Sequence, residues 1–266
     1  MFIALYLAVA KMPKIKAFRG IHPAASLAEK VVLKLEDLSI KKAKAIRKEN
    51  PCSYINMLVP EIENPYLRGS KKELAYKKIS ENFESFLDKG ILLQDKKPAI
   101  YVYQAQHKGL VQTGIWTVTS IDDYLSNTLK KHELTRADRE KNLIEYLQQT
   151  GIDANPVLVT YHPDERINAL ISAAITGLPL LDFKLSGEKH KLWKIDDAVT
   201  VKKLINLMKF SRELSTKLFL KYYLSAKPTT QKPLPVLVLP FDSLLPAKIG
   251  LTHSLFPLRH APKTLF

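Results

Sequence analysis

The chain has 266 residues, of which 46% are apolar and 25% charged, with a formal net charge of +15. Its length and apolar content suffice for one large domain or two small ones with a buried core. Its single cysteine, Cys52, excludes an intrachain disulfide and fits a reducing, cytoplasmic setting.

The cationic surplus favours polyanions. It is concentrated late in the chain, where nine Lys/Arg and two acids follow from Lys209 onward. Nucleic acid is therefore carried as one partner class, and small phosphorylated ligands or nucleotides as the other.

Met1–Ala10 (MFIALYLAVA) is apolar but far shorter than the roughly 20 residues that span a bilayer. It lacks a positive leading segment, so it reads as a doubtful extension (residues 1–11) ahead of a start at Met12, with no membrane role. A globular region is expected over residues 12–210.

Lys14–Ile21 reads as a short strand and turn, with Gly20 supplying backbone freedom. Ser39 predicts a cap for a helix over Ile40–Glu49, closed by Asn50-Pro51. Ser53–Val59 has strand character. Ser70-Lys71-Lys72-Glu73 reads as a capping box, and the helix after it turns Leu74, Ile79, Phe83, Phe86 and Leu87 to one face until Gly90.

Ala99–Ala105 and Leu110–Val118 predict a hairpin around His107-Lys108-Gly109. A short helix is expected over Ser120–Leu129. A second, capped by Thr135–Asp138, runs to Gln149 with Leu143, Ile144 and Leu147 inward and Gly151 as its stop. Pro156–Tyr161 is a buried-type strand, Asp164–Thr176 a helix, and Leu180–Leu185 and His190–Ile195 two strands around Ser186-Gly187. Asp196–Phe210 closes the series as a helix with Val201, Leu204, Ile205 and Met208 inside. Helices and strands mix without strict alternation, so the fold class is α+β, with a mixed, mainly antiparallel sheet and flanking helices.

Residues 211–266 form a basic tail. Seven of the sixteen prolines fall between Pro228 and Pro262. Proline removes backbone donors, so this tail is expected to be irregular.

No Gly-rich phosphate loop, Cys/His ligand cluster or G-x-S-x-G elbow is present, and no metal centre is expected. The densest polar stretch is Lys130–Glu140 (KKHELTRADRE), at the start of a predicted helix. Free N–H groups there attract anions, and Lys131, Arg136 and Arg139 add charge. His132 and Glu133 are the candidate catalytic acid/base pair. The alternative is a solvated helix start with Arg136 and Glu140 paired. Lys14, Lys16 and Arg19 around Gly20 form a second basic cluster, with Lys16 and Arg19 the candidate anion site against exposed backbone N–H groups and a wet edge strand the alternative. Trp116, Trp193 and His190 read as core residues, and Asp196-Asp197 as an acid pair at a helix start.

The stretches Ile15–Ile21 (IKAFRGI), Glu49–Glu61 (ENPCSYINMLVPE), Ile100–Tyr103 (IYVY), Thr113–Trp116 (TGIW), Lys131–Glu140 (KHELTRADRE), Asn155–Tyr161 (NPVLVTY) and His190–Ile195 (HKLWKI) occur in a telling order. Together they resemble the domain-of-unknown-function family number 1015, over residues 12 to about 208. Members usually carry a proline-tyrosine-aspartate turn where this chain has Val31–Leu38 (VVLKLEDL). They also carry an aspartate-glycine-histidine-histidine-arginine motif after the segment matching Lys203–Phe210, which this chain lacks. On that ground the tail is read as truncated or frame-shifted. The motif is similar to a phosphate-binding one of the partition-protein/sulfiredoxin-like fold, which includes a free-serine kinase. The resemblance thus implies a nucleotide-dependent, phosphotransferase-like small-molecule enzyme and supports a site at His132, Glu133, Arg136 and Arg139. A basic nucleic-acid module and an inactive fragment are the other readings.

Overall fold

The computed structural model describes residues 14–34, 38–58, 64, 66–120, 122–123, 126, 128–131, 137–153, 157–161, 163–210, 214–217, 234–240 and 258–259. Met1–Ala10, the cap expected at Thr135 and most of the tail lie outside these residues.

The fold is α+β, as expected. The hairpin forms its centre: β4 (Ile100–His107) and β5 (Leu110–Thr119) pair antiparallel in the register Tyr103↔Gly114. Lys108 and Gly109 both adopt left-handed φ, 48° and 82°. That is the two-residue turn whose twist suits a hairpin. β9 (Leu181–Leu185) and β10 (Glu188–Ile195) form a second hairpin, and β10 pairs antiparallel with β4. β1 (Ile15–Lys16) pairs with the end of β5. β2 (Ile21–Pro23) pairs with β3 (Leu92–Gln94) in a separate two-stranded sheet. β6 (Leu129–Lys131) and β8 (Val157–Tyr161) extend the large sheet beyond β5, while β7 (Ile152–Asp153) stands apart.

Strands alternate their side chains between faces, so the sheet has two cores. On one face Ile100, Val102, Ile115, Trp193 and Ile195 are buried. Helices α5 (Glu165–Ala174) and α6 (Ala198–Phe210) cover this face, contributing Ile167, Ile171, Leu204 and Met208. On the other face Tyr101, Tyr103, Trp116, Leu181, Phe183 and Leu192 pack under Phe18, Ala28 and Val32. These last come from the segment that includes the short helix α1 (Ala28–Val31). A third core joins α2 (Ile40–Glu49), α3 (Gly69–Asp88), β2, β3 and Tyr146 of α4 (Ala137–Thr150). Trp116, Trp193 and His190 are buried, as their sequence context suggested.

Ser39 caps α2 through its Oγ, which accepts from Lys42 N at 3.2 Å. Several local expectations fail. Ser53–Val59 contains no strand over its described residues: Tyr54–Met57 is a 3-10 turn, because Ser53 Oγ accepts from Ile55 N and satisfies the local backbone. Ser70 does not cap α3, which already starts at Gly69 after Arg68. Tyr76, not the exposed Leu74, is the first buried residue of α3, facing Tyr146 with ring centroids 6.3 Å apart. The helix expected over Ser120–Leu129 does not reach Leu129, which opens β6.

Within residues 211–266 the described residues are three short strands: β11 (Leu214–Lys217), β12 (Leu234–Pro240) and β13 (Leu258–Arg259). β12 lies between β5 and β8, with Leu237 opposite both Trp116 and Leu158. Its prolines fall in the second and last positions, so the apolar run Val236–Leu239 keeps its ladder donors and can pair on both sides. β13 pairs with β7.

Asp164 caps α5 by accepting from Arg166 N at 2.9 Å. The Arg166 guanidinium, bonding the same carboxylate at 2.6 Å, lowers the Asp164 carboxyl to about 2. Asp164→Ala is expected to cost about 1 kcal/mol at neutral pH. The folded value lies below the unfolded one, so this contribution is complete above pH ~4 and fades as pH falls towards ~2. Urea unfolding of wild type and variant at pH 7 and at low pH checks it; an equal difference at both would contradict the assignment.

Candidate functional site

The stretch singled out by sequence lies at a strand-to-helix connection. β6 ends at Lys131, and α4 begins at Ala137 after five residues. β6 runs parallel to β11, with Leu214↔Leu129 and Thr216↔Lys131 in register, so both strands end at the same edge of the sheet. Lys131 is the last residue of β6 and Arg139 the third of α4. His132, Glu133 and Arg136 lie outside the described residues. α4 is fixed by its distal half: Tyr146 Oη donates to Met57 O at 2.6 Å, and Lys72 Nζ lies 2.7 Å from Glu145 Oε2. A helix anchored this way holds the positive dipole end of its first turn at a defined place.

Lys16 and Arg19 belong elsewhere. Lys16 is exposed on β1 opposite Val118 of β5. β11, β8 and β12 stand between β5 and β6 in the sheet, so the two predicted anion sites are separate. The Gly20 N–H, expected to be open to a phosphate, is buried and donates to Tyr101 Oη at 2.9 Å. Gly20 is there for space: a Cβ would sit 2.6 Å from Tyr101 Oη.

Arg19 instead joins a polar centre that the sequence did not reveal. Its Nε donates to Asp95 O at 2.9 Å. Tyr101 Oη donates a short hydrogen bond to Asp95 Oδ2, and Lys194 Nζ reaches Asp95 Oδ1 at 2.8 Å. His22 Nε2 lies 3.8 Å from Asp95 Oδ2. Burial first, then the Asp95 bond and charge, push the Tyr101 phenol far up; the Asp95 bond raises Lys194. Asp95 therefore serves as a tether that ties the β1–β2 segment to the end of β4 and β10.

A second missed centre occupies the opposite end of the same sheet face. Glu188 and His190 of β10 and Tyr103 and His107 of β4 point to one side, because each pair is an even number of residues apart on its strand, two and four. Lys34 Nζ lies 2.7 Å from Glu188 Oε1, and His107 Nδ1 lies 4.0 Å from the same oxygen. His190 Nε2 is 3.8 Å from Glu188 Oε2, and its Nδ1 is 2.8 Å from Tyr103 Oη. Burial, then the Glu188 charge, drive the Tyr103 phenol far above its ordinary value.

A cleft of about 230 Å³ between α2 and α3 is lined by Arg47, Asn56, Asn64, Lys78 and Asn82 over an apolar floor. Its polar groups serve one another: Arg47 bonds Asn56 Oδ1 and Ile55 O, and Asn82 bonds Asn56 O. Among the described residues, no group of three or more His, Cys, Asp or Glu is placed to hold a metal. No described helix is long and apolar enough to cross a membrane.

No curated protein and no solved structure matches the chain. A family model described as "Protein of unknown function (DUF1015)" matches residues 15–217, from the first strand of the sheet through β11. That span takes in both polar centres and the strand-to-helix connection, and the chain belongs to the DUF1015 family.

Proposed function

We propose that this protein is an anion- and nucleotide-binding, phosphotransferase-like small-molecule enzyme whose site is the connection between β6 and α4. The observation that supports this reading is the placement of the two elements that flank that connection. A strand ends in Lys131, five residues follow, and a 14-residue helix begins with Arg139 in its first turn. Ligands of open sheets gather beyond the carboxyl ends of parallel strands, and β6 and β11 are such a pair. Helix N-termini hold phosphate oxygens through backbone N–H groups, and Arg forks match phosphate geometry.

In this reading Lys131, Arg136 and Arg139 hold the phosphates of a nucleoside triphosphate. An acceptor hydroxyl oxygen attacks the terminal phosphorus, the bond to the bridging oxygen breaks, and the nucleoside diphosphate leaves. The hydroxyl proton passes to Glu133 or His132.

Calorimetric titration with ATP and ADP tests the proposal. Saturable binding is expected, weakened at least tenfold by Arg139→Ala, about the loss of one charge-assisted contact. No heat with either nucleotide, or an unchanged affinity in the variant, overturns it. Affinity for DNA or RNA that falls steeply with salt, without nucleotide binding, would favour the nucleic-acid reading instead.

A further inference from the structure

Helix α2 carries almost one sign of charge. Its ten residues (IKKAKAIRKE) hold Lys41, Lys42, Lys44, Arg47 and Lys48 against a single acid, Glu49, at the last position. Arg47 turns inward, bonding Asn56 Oδ1 at 3.1 Å and Ile55 O at 2.8 Å, and Ala43 is buried in the third core. The four lysines are exposed, and among the described residues their ammonium groups meet no acid or other acceptor. Lys41, Lys44 and Lys48 are three and four residues apart, so they stack along one side of the helix over roughly 10 Å. Lys30 of α1, also exposed, stands beside the far end, where Asn50 Nδ2 donates to its carbonyl at 2.7 Å. Like charges at these spacings repel and weaken a helix. Solubility alone does not ask for them: α3 interleaves Lys77 and Lys78 with Glu81 and Glu84.

We infer that this face of α2 docks the phosphate backbone of a nucleic-acid duplex, through Lys41, Lys44 and Lys48 and without reading its sequence. A duplex presents one negative charge about every 1.7 Å along its axis, and each lysine that neutralises a phosphate releases condensed counterions. An ammonium is a point charge without the planar fork that matches a base edge, so it fixes position and carries no sequence information.

Other partners fit this face less well. A helix lying on an anionic membrane buries an apolar side, but Ala43 and Ile46 already pack into the third core. A protein partner needs an aromatic or apolar anchor at the centre of the contact, where lysine is depleted. A single strand is held by bases stacked on aromatic rings, and α2 has none. The face rests on α2 and not on the β6–α4 connection, so nucleotide binding there can fail without touching it.

Fluorescence anisotropy with a labelled short DNA duplex and the full chain reads the contact. Binding should be saturable at low salt, alike for two unrelated sequences, and should weaken steeply as salt rises. Combining Lys41→Gln, Lys44→Gln and Lys48→Gln should weaken it roughly tenfold or more and flatten the slope of log K against log salt by about 2–3, one per lost phosphate contact. Combining Lys89→Gln, Lys97→Gln and Lys108→Gln removes the same charge from exposed sites elsewhere and should change affinity by less than about twofold. In the wild-type chain, bound duplex should shield Lys41, Lys44 and Lys48 from acetylation while Lys89, Lys97 and Lys108 stay reactive; this decides the matter if either triple variant fails to fold. No saturable binding, a flat salt dependence, equal loss in both triple variants, uniform acetylation, or binding to phosphatidylserine vesicles but not to duplex would each overturn the proposal.

Discussion

Asp95→Ala is expected to lower the unfolding free energy by about 3 kcal/mol, far more than an exposed carboxylate contributes. The Asp95 side chain is only 12% exposed and accepts from Tyr101 Oη and Lys194 Nζ. Truncation would take the Asp95 acceptor from a buried phenol and leave a largely shielded ammonium with, among the described residues, Asp196, 3.3 Å away and half exposed. Asparagine keeps one carbonyl acceptor and the side-chain volume, so Asp95→Asn should cost roughly half as much. For a domain of this size the alanine variant should melt roughly 10 °C lower. Urea unfolding followed by tryptophan fluorescence is a suitable readout, since Trp116 pairs directly opposite Tyr101. A loss below about 1 kcal/mol would mean that Asp95 is an ordinary surface acid.

What the sequence displayed were features set by neighbours in the chain. The β4–β5 hairpin showed because apolar and aromatic residues flank Lys108-Gly109, and the turn residues alone fix the register. Ser39 declared α2 for the same reason: cap and helix are contiguous. Ser53–Val59 misled because the run is apolar, while short-range bonds decide its backbone. Asn56 Nδ2 donates to Pro51 O and Ser53 O, both 3.0 Å away, folding the run back on itself.

The polar centres were invisible for a different reason. Asp95 stands in an unremarkable Gln-Asp-Lys-Lys run, and its partners Arg19 and Lys194 are 76 and 99 residues away. Glu188 and Lys34 are separated by 154 residues. The alternation Glu188-x-His190 hinted at a shared strand face, but only the pairing of β10 with β4 brings Tyr103 and His107 to it. The Lys130–Glu140 stretch stood out because its charged residues are consecutive in the chain, whereas the strand ahead of it did not, since Ser120–Leu129 reads as a helix.

Gly20→Ala is expected to cost about 2–3 kcal/mol, although no left-handed backbone requires glycine there. Replacing glycine where the backbone is ordinary usually stabilises by roughly 0.4–1 kcal/mol, through a less flexible unfolded chain. The sign is reversed here by contact. The added Cβ would stand 2.6 Å from Tyr101 Oη and 2.7 Å from its Cζ. The ring has little room to retreat, being fully buried against Phe18, 5.2 Å away centroid to centroid, and bonded to Asp95. The penalty should therefore belong to the pair. In a Tyr101→Ala background, itself destabilised by about 3–5 kcal/mol, Gly20→Ala should become neutral or mildly stabilising. Tyr101→Phe removes only the hydroxyl and leaves Cζ in the way, so most of the penalty should persist. Urea unfolding of the four combinations measures the coupling directly. Simple additivity of Gly20→Ala and Tyr101→Ala would show that the ring yields freely, and that the close approach does not hold the β1–β2 segment in place.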